Sequence, residues 1–268
     1  MIVAITGGAR GIGLATAKRL AAGGAQIGLG DIDEAALEEA TREIPGRVVA
    51  RPLDVRDEQS FAAFLQAVVD EFGGLDVLVN NAGIMPVGPL LEESGDVARR
   101  MFDINVHGVL IGMKLAVPFL EGRPGARIVN LASYAGKLPV PGQVSYSATK
   151  AAVLAMTEAA RWECESRGIG FTSIIPTFTK TELIAGTTTP KSVVPIEPDD
   201  VARAIAHAIE HGDDEVYVPK ALKPFGLALG MLPRRWRNAI HRRLGTDRAF
   251  IDVDRAQRRG YLERTDSL

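Results

Sequence analysis

The chain has 268 residues, of which 46% are hydrophobic and 24% are charged, and its formal net charge is −2. This composition is typical of a globular protein, and the near-neutral charge argues against nucleic acid as the main partner. The single cysteine, Cys164, excludes an intrachain disulfide and fits a reducing compartment, so we expect a cytoplasmic location. The N-terminus is predicted to be a strand and not a signal peptide, and no uninterrupted apolar stretch approaches the roughly 18 residues of a membrane span.

Apolar runs of strand length alternate with amphipathic stretches of helix length from residue 2 to about residue 218. The strand-length runs are nearly continuous in Val, Ile and Leu, which is typical of strands buried on both faces. We therefore predict one α/β domain over 1–218, a doubly wound parallel sheet of about seven strands with helices on both faces. The predicted strands are 2–6, 26–30, 47–52, 75–80, 126–131, 169–175 and 215–218, and the predicted helices are 12–23, 34–44, 57–72, 96–120, 145–167 and 198–211.

A glycine-rich turn lies between the first predicted strand and the first predicted helix. Because glycine has no Cβ atom, the backbone there can bend tightly and approach a pyrophosphate, which would bind the N–H groups at the start of the helix. A purely structural turn could contain the same glycines, so this pattern alone leaves both interpretations open. The residues assigned to dinucleotide binding in this turn are Thr6, Gly7, Arg10, Gly11, Ile12 and Gly13.

Asp31 ends the second predicted strand, 18 residues after Gly13. A carboxylate at this point can accept both ribose hydroxyls of an adenosine and would repel a 2′-phosphate. Arg10 points to the opposite preference, since it could pair with a 2′-phosphate. The carboxylate would lie directly at the ribose, whereas the arginine can move into solvent. We therefore predict NAD as the cofactor and NADP as the less favoured alternative.

Three residues downstream suggest proton transfer. Ser133 follows the fifth predicted strand, and Tyr146 and Lys150 lie four residues apart near the start of a helix, where they share a face. The ammonium group and the helix N-terminus should both lower the pKa of Tyr146 from its usual value of about 10, which would make it a usable general acid/base. A Tyr–Lys pair alone is usually a surface pair, but a dinucleotide turn and Ser133 in one chain favour catalysis, with Ser133 holding the substrate oxygen.

These motifs resemble those of the short-chain dehydrogenase/reductase family: Thr-Gly-x-x-x-Gly-x-Gly at 6–13, Asn-Asn-Ala-Gly at 80–83 and Tyr-x-x-x-Lys at 146–150. The resemblance covers about residues 1–218 and implies a Rossmann fold and an NAD(P)-dependent oxidoreductase acting on alcohols and carbonyl compounds. Family members usually have Pro-Gly after the sixth strand, whereas this chain has Pro176-Thr177. The resemblance also implies that Asn105 orders a proton-relaying water, and that Asp54, Val55, Asn81, Ala82, Gly83, Tyr146, Lys150, Pro176, Thr179 and Thr181 contact the cofactor.

The helix that contains Tyr146 has a face of small residues. This face either packs on the sheet or, as the resemblance implies, pairs with a second subunit in a homodimer or homotetramer. The residues of the face are Ala148, Ala151, Ala152, Ala155 and Ala159.

We expect the substrate pocket to be formed by segments 84–91, 135–144 and 178–195. Within the last segment, residues 182–195 are predicted to form a mobile lid. These segments are largely apolar, which favours a hydrophobic alcohol or ketone, such as a steroid, a retinoid or a lipid-derived molecule. The predicted substrate contacts are Ser133, Leu138, Val140, Val144, Tyr146 and Leu183, and the few charges nearby are Lys137, Lys180, Glu182 and Lys191.

Two other functions share part of this pattern. A non-catalytic dinucleotide sensor would not need Ser133, Tyr146 and Lys150 together. A sugar-nucleotide epimerase or dehydratase resembles the chain in Tyr-x-x-x-Lys but generally has another glycine spacing and a larger C-terminal domain. His207 and His211 are four residues apart but have no evident third ligand, so we predict no metal site.

Residues 219–268 form a basic appendage, with 12 Lys and Arg against 5 Asp and Glu. An uncharged stretch, 224–233, precedes the arginine-rich segment 234–243 around Trp236. This pattern would suit a helix lying on an anionic membrane, so that residues 224–243 make a peripheral membrane contact. The alternative is that the segment covers the substrate pocket or an oligomer interface.

Overall fold

The computed structural model describes residues 1–190 and 193–266, so Lys191 lies outside the described residues. Its seven strands form one parallel sheet in the order β3-β2-β1-β4-β5-β6-β7. This order confirms the predicted doubly wound fold, because the sheet grows outward in both directions from β1 and β4. The strands are β1 Ile2–Thr6, β2 Gln26–Asp31, β3 Val48–Pro52, β4 Val77–Asn80, β5 Arg127–Leu131, β6 Gly170–Pro176 and β7 Glu215–Val218.

Helices cover both faces of the sheet, and each face has its own buried apolar cluster. One cluster lies under the helices at 58–72, 108–120 and 144–163, and the other lies under the helices at 11–22, 34–43 and 198–211. Two helices are capped at their N-termini by aspartates. Asp33 accepts a hydrogen bond from the N–H of Ala36, and Asp57 accepts one from that of Gln59. The helices are α1 Gly11–Ala22, α2 Glu34–Glu43, α3 Glu58–Phe72, α4 Gly95–Phe102, α5 Gly108–Leu120, α6 Val144–Glu163, α7 Pro198–His211, α8 Leu222–Met231, α9 Arg234–Leu244 and α10 Arg255–Asp266.

The helix predicted over 96–120 is interrupted by a π-helical turn, Asp103–His107, between α4 and α5. The wider turn places Asn105 in the interior, and such turns are frequent at functional sites. The continuous stretch Gly95–Leu120 is long and apolar enough, by length and composition only, to cross a membrane. Met113, Ala116 and Leu120 of this stretch are buried in the core, whereas Leu110 is 39% exposed.

The C-terminal segment packs against the body of the protein. Arg258 of α10 is 1% exposed and donates hydrogen bonds of 2.8 Å to the carbonyl oxygens of Leu183 and Ala185. Phe250 stacks on Phe178, with the ring centroids 5.2 Å apart. Residues of this segment between 219 and 265 therefore lie over the carboxyl ends of the strands.

Candidate active site

A cavity of about 1470 Å³ lies at the carboxyl ends of the strands, where ligands bind in open parallel sheets. Four parts of the chain form its wall: the glycine turn, the loops after β4 and β5, the segment after β6, and the C-terminal helices. Of the predicted site residues, those lining the cavity are Gly7, Arg10, Gly11, Ile12, Asp31, Asn81, Ala82, Gly83, Ser133, Leu138, Val140, Tyr146, Lys150, Pro176, Thr179, Thr181 and Leu183.

The glycine turn has the backbone geometry that its sequence predicts. Gly7 and Gly11 have φ angles of 61° and 56°, a region that favours glycine. A Cβ atom at Gly13 would lie 2.2 Å from the carbonyl oxygen of Gly7, so only glycine fits there. Asn81 holds the turn in place, because its amide donates to the carbonyl oxygens of Thr6 and Gly7 at 2.9 and 2.8 Å. The turn is therefore fixed from behind and can present its N–H groups to an anion.

The carboxylate of Asp31 lies directly behind this turn. It accepts hydrogen bonds from the N–H groups of Ala9 at 3.0 Å and Asp33 at 3.1 Å. Arg10, for which the sequence allowed a position in solvent, forms a 2.6 Å ion pair with Asp33 and is 39% exposed. The structure thus holds the carboxylate of Asp31 in place and occupies the arginine that would attract a 2′-phosphate.

Ser133, Tyr146 and Lys150 converge at the inner end of the cavity. The hydroxyl of Ser133 lies close enough to that of Tyr146 to act on its pKa, and the ammonium group of Lys150 donates to the carbonyl oxygen of Leu131 at 2.7 Å. Tyr146 is 7% exposed and Lys150 is 5% exposed. Two oxygen groups and a cation therefore share one water-poor space, as proton transfer to a bound substrate requires.

The protonation of this group differs from our expectation. Burial raises the pKa of Tyr146 to about 12, although the hydrogen bond from Ser133 acts to lower it. Burial also lowers the pKa of Lys150 to about 8. The lysine does not lower the tyrosine pKa as predicted, because removing both groups from water favours the neutral form of each.

Asn105 lies behind the cavity wall and not in it. Its side-chain oxygen accepts from the N–H of Ile84 at 2.8 Å, and its amide donates to the carbonyl oxygen of Ile84 at 2.8 Å and to Thr149 at 3.2 Å. Both amide hydrogens are thus used within the protein. The arrangement fixes the loop after β4, and the ordering of a water by Asn105 stays a prediction.

Five other predicted residues lie outside the wall. The hydroxyl of Thr6 accepts from the N–H groups of Asn81 and Ala82, both at 3.0 Å, and so supports the glycine turn. Asp54 pairs with Arg56 at 2.7 Å. The remaining three are Gly13, packed beneath the turn, Val55, which is buried, and Val144, which is 48% exposed.

The sequence analysis missed the wall residues contributed by the C-terminal segment. Leu222, Phe225, Leu229, Phe250 and Tyr261 all line the cavity. The uncharged stretch 224–233 was the signal for Phe225 and Leu229, and it left a pocket cover, an oligomer interface and a membrane contact open.

Comparisons with known proteins identify the family of this chain. The family model described as short chain dehydrogenase matches residues 1–191. The 2,5-dichloro-2,5-cyclohexadiene-1,4-diol dehydrogenase LinX of Sphingobium indicum is 39% identical over 65% of this chain and 71% of its own length. The cis-4-hydroxycyclohexanecarboxylate dehydrogenase of Sinomonas cyclohexanicum is 37% identical over 76% of this chain and 87% of its own length.

Solved structures show the same relationship. A short-chain dehydrogenase/reductase from Burkholderia phymatum in complex with NAD has a TM-score of 0.77 and 26% identity, over 84% of this chain and 91% of that one. The 3-ketoacyl-(acyl-carrier-protein) reductase from Brucella melitensis complexed with NADH has a TM-score of 0.73 and 28% identity, over 81% of this chain and 96% of that one. Sequence, fold and site together place this chain in the short-chain dehydrogenase/reductase family, as an oxidoreductase.

Proposed function

We propose that the protein is an NAD-dependent oxidoreductase that interconverts a secondary alcohol and the corresponding ketone, or an aldehyde and its primary alcohol. The observation that supports this most directly is that Ser133, Tyr146 and Lys150 share one cavity with the glycine turn and Asp31. The residues present fit a dinucleotide, because a Cβ at Gly7 would lie 2.8 Å from the Cα of Ala82 and the turn is kept open only by glycine. NAD is favoured over NADP, since Asp31 is held at the ribose position while Arg10 is paired.

In this mechanism the nicotinamide of a bound dinucleotide would accept or supply the hydride. Tyr146 transfers the proton: its phenol protonates the carbonyl oxygen in reduction, and its phenolate receives the hydroxyl proton in oxidation. Ser133, beside Tyr146 in the cavity, holds the same substrate oxygen. Lys150, fixed by Leu131, supplies positive charge that stabilises the phenolate form during the transfer.

The apolar wall supports a hydrophobic substrate. Leu138, Val140, Leu183, Leu229 and Phe250 contribute to it. The relatives named above are dehydrogenases of ring alcohols, which agrees with alcohol oxidation as the reaction class. A non-catalytic sensor is disfavoured because it would not need three proton-transfer residues in a buried space. An epimerase or dehydratase is disfavoured because residues 219–266 serve as a cover for the cavity.

A homo-oligomer is also part of the proposal. On α6, Ala148, Ala155 and Ala159 are exposed, and Trp162 is 71% exposed on the same side of the helix. The alanine face therefore points away from the sheet, which leaves it available for a second subunit.

We further propose that the outer face of α9 contacts an anionic membrane. Arg234, Arg235, Arg242 and Arg243 are exposed, and none of them forms an ion pair among the described residues. Trp236 lies among them with 58% exposure. A helix face of arginines and a tryptophan is typical of interfacial binding.

The first prediction concerns the proton. Tyr146→Phe should lower kcat at least about 100-fold, because proton transfer by a positioned side chain contributes that much, while NAD affinity stays near normal. Steady-state kinetics and calorimetric NAD binding measure the two effects. Tyr217→Phe, outside the cavity wall, is the matched control and should keep full activity. Retention of more than a tenth of the kcat by Tyr146→Phe would contradict the assignment.

Cofactor preference gives a second prediction. Asp31→Ser should weaken NAD use and improve NADP use, because the repulsion of a 2′-phosphate is removed. Adding Asp33→Asn should improve NADP use further, since it releases Arg10 from its ion pair. The values of kcat/KM for both cofactors decide this, with Asp33→Asn alone as the control that keeps the NAD preference. A wild type that already prefers NADP would refute the assignment of Asp31.

A third prediction follows from Lys150. Its pKa is about 8 in the folded protein and near 10.5 in its unperturbed state, so the unfolded chain binds more protons between these values. The free energy of unfolding should therefore rise from pH 8 to pH 10 by about 2 kcal/mol. Above about pH 10 the raised pKa of Tyr146 acts in the opposite direction. Denaturant titrations measure the free energy of unfolding at each pH. Lys150→Met should abolish its rise between pH 8 and pH 10, and the exposed Lys114→Met should keep it. Equal slopes against pH in the wild type and both variants would contradict the prediction.

The membrane contact gives a fourth prediction. In a Trp162→Phe background, the fluorescence of Trp236 should shift to shorter wavelength with vesicles of phosphatidylcholine and phosphatidylserine, and high salt should reverse the shift. Reversing the charge of Arg234, Arg235 and Arg243 should abolish the shift, whereas reversing three exposed arginines of the body, Arg42, Arg51 and Arg99, should not. No shift at low salt would mean that α9 does not bind membranes.

A further inference from the structure

Tyr261 of α10 places a hydroxyl group in the catalytic cavity that the reaction described above does not use. Its side chain is 6% exposed and lines the same cavity as Ser133 and Tyr146.

The oxygen of the Tyr261 hydroxyl already accepts a hydrogen bond, but its hydrogen is not donated to any group that the structure describes. The oxygen of Tyr261 accepts a 2.6 Å hydrogen bond from the N–H of Met85. A phenol both donates and accepts, so this bond leaves the O–H hydrogen unused. Over residues 1–190 and 193–266, no acceptor for that hydrogen is found. A buried donor of this kind is stabilised when a bound molecule supplies an oxygen.

The position of the donor is fixed by Arg258. The guanidinium carbon lies 4.6 Å from the centre of the Tyr261 ring, and the guanidinium is itself held by the carbonyl oxygens of Leu183 and Ala185. Burial raises the pKa of Tyr261, and the adjacent positive charge of Arg258 only partly offsets this, so the phenol stays protonated and keeps its O–H as a donor. The hydroxyl is therefore oriented before a ligand arrives.

Two other polar side chains of the C-terminal wall bond within the protein. His241 is hydrogen-bonded to Thr246 at 2.8 Å, and the hydroxyl of Thr265 donates within α10 to the carbonyl oxygen of Tyr261 at 3.1 Å. Around them the wall is largely apolar, with Leu229 and Phe250 among its members. Tyr134, in the loop after β5, also lines the cavity with a buried hydroxyl that has no hydrogen-bond partner among the described residues, so Tyr261 is the donor on the α10 side of the cavity.

We propose that Tyr261 is a specificity-determining residue, which donates a hydrogen bond to a second oxygen of the substrate. The substrate class would be alcohols or ketones with a further hydroxyl, carbonyl or carboxylate group, such as diols, hydroxyketones or hydroxy acids. This inference rests on the proposed oxidoreductase function and narrows its substrate from apolar alcohols in general to those with two oxygen functions.

The test compares cyclohexanol with cyclohexane-1,2-diol, 1,3-diol and 1,4-diol as probes for the wild type and Tyr261→Phe. For the wild type, at least one diol should have a higher kcat/KM than cyclohexanol. Tyr261→Phe should lower that kcat/KM by about tenfold or more, chiefly through KM, since a hydrogen bond of this kind contributes about that factor. It should change the values for cyclohexanol less than about threefold. Tyr217→Phe is the control and should change neither.

Two results would overturn the inference: an equal loss on cyclohexanol and on the diols, or a wild type that prefers no diol. Calorimetric binding of the same probes to the NAD-loaded protein separates this inference from the proposed function. If no probe is oxidised, the proposed function fails for this class, but tighter binding of a diol than of cyclohexanol would still support Tyr261. If Tyr261→Phe does not fold, the diol preference of the wild type in binding decides alone.

Discussion

The structure depends on how two residues of the loop after β4 are held. Ile84 and Met85 lie outside any strand, yet all four of their backbone polar groups are bonded by side chains from elsewhere. Asn105 binds both groups of Ile84, while Tyr261 and Arg258 bind the N–H and the carbonyl oxygen of Met85. Because buried backbone groups require partners, this loop joins the sheet, the π-helical turn and the C-terminal helix into one unit.

The same loop and the C-terminal helix both line the cavity that contains Tyr146 and Lys150. These two side chains are buried, and burial raises the pKa of Tyr146 and lowers that of Lys150. The ammonium group of Lys150 is anchored by the carbonyl oxygen of Leu131, so its position does not depend on a charged partner. A fixed acid–base pair removed from water is suited to a reaction whose charge changes occur only while substrate is bound.

The fold and the inner half of the site could be predicted from local patterns. Continuous apolar strands indicated a parallel sheet, and Thr6–Gly13 and Tyr146–Lys150 are motifs whose spacing alone defines a geometry. The pairing of Arg10 with Asp33 could not be read in the same way, since it depends on how β2 and α2 are placed against the glycine turn. The same holds for Tyr261, which is 176 residues from Met85 in the sequence. The role proposed for Tyr261 depends on its tertiary contact with Met85, which sequence periodicity does not predict.

The residues that form the C-terminal cover and the residues proposed to carry the chemistry lie in different parts of the chain. The groups proposed to move the proton and to hold the dinucleotide lie before residue 182, whereas part of the cavity wall comes from one continuous stretch after residue 219. Changes in that stretch can reshape the binding space and leave the reacting atoms in place, provided that Arg258 keeps its carbonyl partners. Evolution, or an engineer, could therefore alter what this enzyme accepts by exchanging its last fifth while retaining the same reaction.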